Sequence, residues 1–175
     1  MANSLMVRTP SEPEQSPATL GVAQASGIPV APEAPRGVEL RPLQEADLDA
    51  AGRGYHLSHL GTESEMTPDE ALAEVRASWD DEYGALLHEA SLGAWQGEEL
   101  VGCILTVRDA PWDDAPRGPF IIDLFVVPEA RRRGIARALV SEALAQLSEP
   151  VALRVDDSAT AAYALYLDLG FEVVD

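Results

Sequence analysis

The strongest structural signal in the chain is the segment Phe120-Ile-Ile-Asp-Leu-Phe-Val-Val-Pro-Glu-Ala-Arg-Arg-Arg-Gly-Ile-Ala136. Its first eight residues are apolar, β-branched or aromatic apart from Asp123, which is typical of a buried strand. Pro128 ends this strand, and beyond Gly134 the apolar residues recur every three or four positions, which predicts a helix. The stretch therefore consists of a strand, a short arginine-rich loop and a helix.

This order of elements is typical of sites that bind phosphate groups. The first N–H groups of a helix have no partner within it, and the helix dipole is positive at that end. Gly134 and Ala136 leave room for an anion to approach the backbone, and Arg131, Arg132 and Arg133 add positive charge. A solvated loop before an ordinary helix explains the same residues, so this pattern alone leaves both interpretations open.

The elements predicted around this stretch alternate between strands and helices. A capping box formed by Thr67 and Glu70, with Pro68 between them, marks the start of one helix. The predicted strands cover residues 38–42, 91–95, 99–107, 120–127, 151–155 and 171–174, and the predicted helices cover 44–60, 71–79, 135–147 and 160–169. This alternation predicts an α/β domain with mixed strand pairing.

The N-terminal segment differs in composition from the rest of the chain. Residues 1–36 hold six of the 13 prolines, mixed with Ser, Ala, Gln and Gly, and show no periodicity of a helix or a strand. Such a composition predicts a disordered tail. We therefore expect the folded domain to cover residues 37–175.

The charge of the chain excludes some classes of partner. The net charge is -18, and every one of the 12 basic residues is arginine. A surface this acidic repels nucleic acids and anionic membranes, so neither is expected as a partner. Acidity suits a cationic substrate, but it also increases solubility, and both explanations stay open. No apolar run reaches the roughly 18 residues of a membrane span and no signal segment is evident, so we expect a cytoplasmic protein.

Neither cysteine chemistry nor a metal is indicated. Cys103 is the one cysteine, so it forms no internal disulfide, and its apolar surroundings predict a small core residue. His56 and His59 lie one helical turn apart with Glu63 beyond them, but no third strong ligand is evident. We therefore predict no metal.

Two blocks of sequence, in order, resemble the GNAT superfamily of N-acetyltransferases. The stretch 127–136 resembles the cofactor-binding motif Arg/Gln-x-x-Gly-x-Gly/Ala, matched by Arg131, Gly134 and Ala136. The block Ala162-Tyr-Ala-Leu-Tyr-Leu-Asp-Leu-Gly-Phe171 resembles the later helix motif Ala-x-x-Leu-Tyr-x-x-x-Gly-Phe. Two ordered motifs are far more specific than either alone, and the resemblance covers the chain from about residue 38 onward.

The resemblance implies a fold and a cofactor. The fold is a central mixed sheet, mostly antiparallel, flanked by helices, and the cofactor is acetyl-CoA or another short acyl-CoA. The strand would offer backbone groups to the pantetheine arm, and an N–H of Phe125 or Val126 would polarise the thioester carbonyl. The residues so implied in cofactor binding are Leu124, Phe125, Val126, Arg131, Arg132, Arg133, Gly134, Ile135, Ala136, Arg137, Ser158 and Tyr166.

The implied reaction is the transfer of an acetyl group from acetyl-CoA to a primary amine, by direct attack in a ternary complex. Tyr166 matches the tyrosine that acts as general acid in the family, since a phenol stays protonated at neutral pH. Asp123 is the candidate base. As alternatives that stay open, Tyr166 is a core aromatic residue and Asp123 an inward structural carboxyl.

The sequence departs from the family pattern at two places. Ala159 stands where many members carry an asparagine that contacts the cofactor, so this contact is lost or passes to Ser158. The family fold usually ends in a two-strand hairpin, whereas here one short strand follows Gly170. Either the last strand is absent or another segment or subunit covers the exposed edge. These departures slightly favour the alternative function, a non-catalytic acyl-CoA-binding module for regulation or interaction, whereas Tyr166 and the complete phosphate-binding loop favour the enzyme.

Two acidic and aromatic segments are candidates for binding the acceptor. They are Trp79-Asp-Asp-Glu-Tyr83 and Pro111-Trp-Asp-Asp114, and they provide Trp79, Asp80, Tyr83, Trp112 and Asp113. Acids beside aromatic rings suit an ammonium group. Solvated loops anchored by tryptophan explain the same residues. The acceptor is expected to be an amine-bearing small molecule or a protein N-terminus or side chain; the oligomeric state stays open, a homodimer included.

Overall fold

The computed structural model of the chain describes residues 3–8, 34–113, 115–156 and 159–174. The described residues form eight strands and four α-helices. The strands are β1 (Asn3–Arg8), β2 (Glu39–Pro42), β3 (Ala85–Leu86), β4 (Leu92–Gln96), β5 (Glu99–Arg108), β6 (Pro119–Val126), β7 (Val151–Asp156) and β8 (Glu172–Val174). The helices are α1 (Leu48–His59), α2 (Pro68–Trp79), α3 (Ile135–Ala145) and α4 (Thr160–Asp168). None of the helices described is long and apolar enough to cross a membrane.

All eight strands belong to one sheet. Its order is β2-β4-β5-β6-β7-β1-β8, and β3 pairs with one end of β5. Every pairing is antiparallel except that of β6 with β7, which is parallel. The predicted fold class, a mixed and mostly antiparallel sheet flanked by helices, is therefore confirmed.

The helices cover the two faces of the sheet, with a buried core on each side. On one face α1 and α2 pack over a cluster that includes Leu48, Val75, Leu105 and Phe125. On the other face α3 and α4 pack over a cluster that includes Ile104, Leu139, Leu153, Tyr166 and Phe171. The central strands β5 and β6 carry apolar residues to both faces, which is why their sequences read as nearly continuous apolar runs.

Local signals position the two helices of the first face. The capping box of α2 forms as predicted: the Thr67 hydroxyl accepts from the Glu70 N–H at 3.3 Å, and the Glu70 carboxylate accepts from the Thr67 N–H at 2.8 Å. A Cβ atom on Gly54 would lie 2.9 Å from the ring of Phe125. Because glycine has no such atom, α1 comes close enough to β6 to place Tyr55 beside the centre of the sheet.

The prediction of a disordered tail over residues 1–36 is wrong for residues 3–8. These residues form β1, which lies between β7 and β8 and is antiparallel to both. Met6 in the middle of this strand is fully buried. The strand is short and its partners lie about 150 residues away in sequence, so local periodicity gave no sign of it. Residues 9–33 lie outside the described part of the chain.

The same strand answers the question raised by the short C-terminal region. One side of β1 pairs with β7 along its whole length, and the other side pairs with β8 at Leu5, Met6 and Val7. The chain's own N-terminal segment therefore covers the edge of β7. This is the second of the two predicted alternatives, in which another segment covers the exposed edge.

Candidate active site

The two parallel strands at the centre of the sheet separate along their length. They pair only at Phe120 with Ala152 and at Ile121 with Leu153. Beyond Ile121, β6 stays paired with β5 on its other side, and β7 stays paired with β1. The separation leaves a wedge between the second half of β6 and β7.

The direction of the backbone groups of β6 follows from its pairing with β5. The Val127 N–H donates to the Val101 carbonyl at 3.0 Å, and residues opposite each other in an antiparallel pair alternate between bonded and non-bonded. Phe125, two residues earlier, therefore also turns its backbone groups to β5. Leu124 and Val126 turn theirs toward the wedge. Of the two candidate N–H groups, the geometry thus places that of Val126 at the wedge.

A bulge in β6 directs an acidic side chain to the α1 and α2 face. Leu105 on β5 pairs with Asp123, but the next residue, Thr106, pairs with Ile121. Ile122 is thus an extra residue in β6, and a bulge of this kind turns neighbouring side chains to new directions. Here Ile122 and Asp123 both line one cavity.

The loop between β6 and α3 presents unpaired N–H groups. Arg132 and Gly134 both have left-handed backbone conformations, with φ of 62° and 82°. The Arg131 N–H donates to the Pro128 carbonyl, and the Ala138 N–H donates to the Gly134 carbonyl. Between them, no backbone carbonyl of the described residues accepts a hydrogen bond from the N–H groups of residues 132 to 137. A Cβ atom on Gly134 would meet nothing within 4 Å. Free N–H groups at a helix start form a concavity that suits a phosphate.

The arginine side chains of this loop have different partners. The Arg131 guanidinium donates to the carbonyls of Val126 at 3.1 Å and Ser58 at 2.8 Å. Arg131 therefore links the loop to the C-terminal end of α1 instead of extending into the anion site. Arg133 donates to Gln96 at 3.0 Å and lines a second cavity of about 480 Å³ on the α1 side. Arg132 is exposed.

The remaining predicted cofactor residues take different positions around this loop. Ile135 is buried in the core, Ala136 is half-buried, and Arg137 forms an ion pair with Asp168. Ser158 lies outside the described residues. Ala159 is the residue before the first turn of α4, and no side chain caps that helix start.

The environment of Asp123 raises the pKa of its carboxyl group to about 7. Burial is the largest cause, because it disfavours the charged form. Hydrogen bonds from the Tyr55 hydroxyl and the Leu124 N–H act in the opposite direction, and the nearby charge of Glu74 raises the pKa slightly further. A carboxyl group with this pKa is well suited to accept and release a proton near neutral pH.

Tyr166 lies on the other face of the sheet but is electrostatically coupled to Asp123. It is 6% exposed and its ring meets that of Phe171 edge to face, with 5.6 Å between centroids. Burial, and to a smaller extent the charge of Asp123, raises the pKa of the phenol to about 12. Tyr166 is therefore a protonated donor throughout the physiological range.

A cavity of about 280 Å³ opens beside Asp123 on the face covered by α1 and α2. Two of the residues that line it are acidic, Asp123 and Glu74, and no arginine or histidine lines it in the described part of the chain. The Glu74 carboxylate accepts a hydrogen bond from the Tyr83 hydroxyl at 2.9 Å. The other lining residues are Tyr55, Ser78, Trp112 and Ile122.

The structure brings some of the predicted acceptor residues together and not others. Tyr83 and Trp112 line the cavity, with nearly parallel rings whose centroids lie 6.4 Å apart. Trp79 instead packs against the ring of His88, and Asp80 and Asp113 are exposed and do not line the cavity.

Sequence reasoning missed four residues of this cavity, namely Tyr55, Glu74, Ser78 and Ile122. A usable signal was present on α2, where Glu74 and Ser78 lie four residues apart beside the buried stripe of Ala71 and Val75.

The cysteine and histidines take structural positions. Cys103 is fully buried, as predicted, and burial raises the pKa of its thiol. One ring nitrogen of His56 lies 2.8 Å from the Met66 carbonyl, and one of His59 lies 2.9 Å from the Tyr55 carbonyl. Within the described residues, no group of three or more potential ligands is placed to hold a metal ion.

Solved structures confirm the fold. One is a GCN5-related N-acetyltransferase from Sphaerobacter thermophilus, at 22% identity and a TM-score of 0.65; the match covers 98% of this chain but 48% of that protein. Another is the PaiA N-acetyltransferase of Thermoplasma acidophilum in complex with coenzyme A, at 22% identity and a TM-score of 0.58, covering 79% of this chain and 91% of that one.

A third similar structure is Naa50 of Arabidopsis thaliana in complex with the bisubstrate analogue CoA-Ac-MVNAL, at 19% identity and a TM-score of 0.55, covering 79% of this chain and 85% of that one.

Among proteins of curated function, none matches the chain. The profile of the acetyltransferase (GNAT) family matches residues 56–171, which include the wedge, the N–H-rich loop, Asp123 and Tyr166. The chain belongs to the acetyltransferase (GNAT) family.

Proposed function

We propose that this chain is an N-acetyltransferase that transfers an acetyl group from acetyl-CoA to a primary amine by direct attack in a ternary complex. The proposal is based on the position of the wedge. It lies between the N–H-rich loop on one side and, on the other, a cavity that contains a titratable carboxyl group. One side of β6 can thus hold an acyl donor while the other side holds an amine, with Asp123 between them.

The loop residues fit the phosphates of a coenzyme A group. Within the described residues the N–H groups of residues 132 to 137 have no backbone partner, and Gly134 leaves open space in front of them. Two of the similar structures, PaiA and Naa50, hold coenzyme A or a coenzyme A bisubstrate analogue. In this proposal the backbone binds the pyrophosphate, Arg132 adds charge from the surface, and Arg131 fixes the loop to α1.

Three groups of the chain perform the chemistry. When bound, acetyl-CoA supplies a thioester whose carbonyl carbon is open to attack by an amine nitrogen. The Val126 N–H donates to the carbonyl oxygen and stabilises the negative charge that develops there. Asp123 accepts a proton from the attacking amine, directly or through a water molecule. Tyr166 donates a proton to the sulfur atom as the carbon–sulfur bond breaks and the carbon–nitrogen bond forms.

The acceptor binds in the cavity beside Asp123. At about 280 Å³ the cavity is slightly smaller than most ligand sites, which measure about 300–1,000 Å³, so it suits a small amine or the first residue of a chain. Carboxylates and aromatic rings are the groups that stabilise an ammonium ion in such a site.

Isothermal titration with acetyl-CoA, followed by thiol-release assays on a panel of amines, tests the proposal. We expect binding, and turnover on at least one amine. Replacing Tyr166→Phe removes the proton donor but keeps the ring, so it should leave the acetyl-CoA affinity intact and lower the rate. Binding without turnover on any amine would point to a non-catalytic acyl-CoA-binding module, and absence of binding would refute the proposed role of the loop.

A further inference from the structure

The acceptor cavity holds two carboxylates where a single catalytic base would need one. Asp123 lines the cavity from β6, and Glu74 lines it from α2. Neither forms an ion pair with an arginine within the described residues. The charge of Glu74 raises the pKa of the Asp123 carboxyl, so the two acids act on each other across the cavity although Glu74 itself is exposed.

Each carboxylate has unused capacity to accept hydrogen bonds. An ionised carboxylate can accept about four. Asp123 accepts from the Tyr55 hydroxyl and the Leu124 N–H, and Glu74 accepts from the Tyr83 hydroxyl. The Tyr83 bond also fixes the orientation of the Glu74 carboxylate at the outer wall, beside the ring of Trp112. Glu74 is thus a preoriented acceptor with an aromatic neighbour, and it takes no part in the proposed proton transfers.

No arginine neutralises this pair from within the cavity, as far as the described lining residues show. The guanidinium of Arg154 lies 5.4 Å from the ring centre of Trp112 and 5.9 Å from that of Phe120, and Arg154 is not among the lining residues. Two like charges without a cation repel each other, and a ligand that carries two positive charges relieves this repulsion most fully.

We propose that Glu74 determines acceptor specificity by binding a second ammonium group, so that the preferred substrate is a small diamine whose other amine reacts at Asp123. This inference rests on the proposed function of the site. Glu74 holds the non-reacting end of the substrate through a charge-assisted hydrogen bond, flanked by the rings of Tyr83 and Trp112. That anchoring places the reacting nitrogen at the inner end of the cavity.

The test compares straight-chain diamines with monoamines of the same length, such as diaminobutane and n-butylamine, in thiol-release assays. Hydrogen bonds to charged groups are strong enough that the wild-type kcat/KM should favour the diamine by about tenfold or more. In Glu74→Gln the amide oxygen still accepts from Tyr83, but the charge is gone. The ratio of kcat/KM for diamine over monoamine should then fall by about 10- to 100-fold, mainly through KM for the diamine.

A matched variant controls for the loss of one negative charge. Glu63→Gln makes the same change at an exposed position between α1 and α2, away from the cavity, and should keep the wild-type ratio. A ratio that Glu74→Gln leaves unchanged would overturn the inference, as would an equal loss for both amines.

A binding measurement separates this inference from the proposed function. Diaminobutane is titrated into the wild type and into Glu74→Gln in the absence of acetyl-CoA, so that only binding is measured. Weaker binding of the diamine to the variant, by about tenfold or more, supports the Glu74 site even if no amine is acetylated. Equal binding by both proteins, or no binding by either, overturns it.

Discussion

Replacing Asp123→Asn should make the protein more stable while abolishing most of its activity. The pKa of Asp123 rises from 3.8 to about 7 in the folded state. At about 1.36 kcal/mol per pKa unit, this rise corresponds to about 4 kcal/mol of unfavourable free energy in the folded protein above pH 7. The asparagine oxygen can still accept from Tyr55 and Leu124, but its amide N–H groups then need partners, which costs about 1–3 kcal/mol. We therefore expect a net stabilisation of about 1–3 kcal/mol.

The sign of the effect depends on pH. Because the folded state binds a proton more tightly than the unfolded state, Asp123 lowers the stability of the wild type as pH rises from about 4 to about 7. Tyr55 lines the same cavity as Asp123, and the charge of Asp123 also acts on Tyr166 and Cys103, but the raised pKa values of all three groups keep them neutral over this range. Glu74 is the other acid there. The stabilisation by Asp123→Asn should therefore be greatest at about pH 8.5 and should be lost or reversed at about pH 4, where only the cost of the amide group remains.

Urea unfolding of wild type and variant at both pH values measures this difference. Asp113→Asn is the matched control, since it makes the same change at an exposed residue and should leave stability within about 0.5 kcal/mol. In the same proteins, the wild-type kcat/KM should increase with pH through an apparent pKa of about 7, and the variant should lose this step and about 100-fold or more in rate. A variant that is less stable at both pH values would show that Asp123 is not a desolvated carboxyl group.

Four further changes test separate parts of the structure. Tyr166→Phe should lower kcat about 100-fold or more and keep the Kd for acetyl-CoA, which thiol release and titration measure. Gly134→Ala and the control Gly37→Ala both place a side chain at positive φ and should each cost about 1 kcal/mol in thermal unfolding, but only the former should weaken acetyl-CoA binding. Met6→Ala should destabilise the protein by about 2–5 kcal/mol if β1 is a buried strand, and an unchanged Tm would contradict the strand. Arg131→Ala should lower the Tm and raise KM for acetyl-CoA, because the loop loses its two bonds to carbonyls; an unchanged KM would refute the linking role.

Features set by neighbouring residues could be predicted from the sequence. The capping box of Thr67 and Glu70 fixes the start of α2, and the apolar run of β6 identifies the central strand. The register of the second motif selects Tyr166 over Tyr163, and the structure buries Tyr166 and couples it to Asp123. Such features depend on contacts within a few residues, so one sequence contains the information.

Features set by distant contacts could not be predicted. The pairing that makes Asn3–Arg8 a strand lies with residues 151–156 and 172–174, and the composition beside it is that of a disordered segment. The cavity wall depends on how α1 and α2 pack on β6, which the close approach at Gly54 determines. Helical spacing does not show which neighbouring element Tyr55 and Glu74 face, so their place beside Asp123 appears only in the folded chain.

The most direct test of the account is mass spectrometry of the products formed when wild-type protein, acetyl-CoA and a panel of amines are incubated together. We expect an acetylated amine in amounts equal to the thiol released, and far less of it with Tyr166→Phe or Asp123→Asn. Release of thiol without an acetylated amine, or the same yield from all three proteins, would contradict direct transfer by these residues.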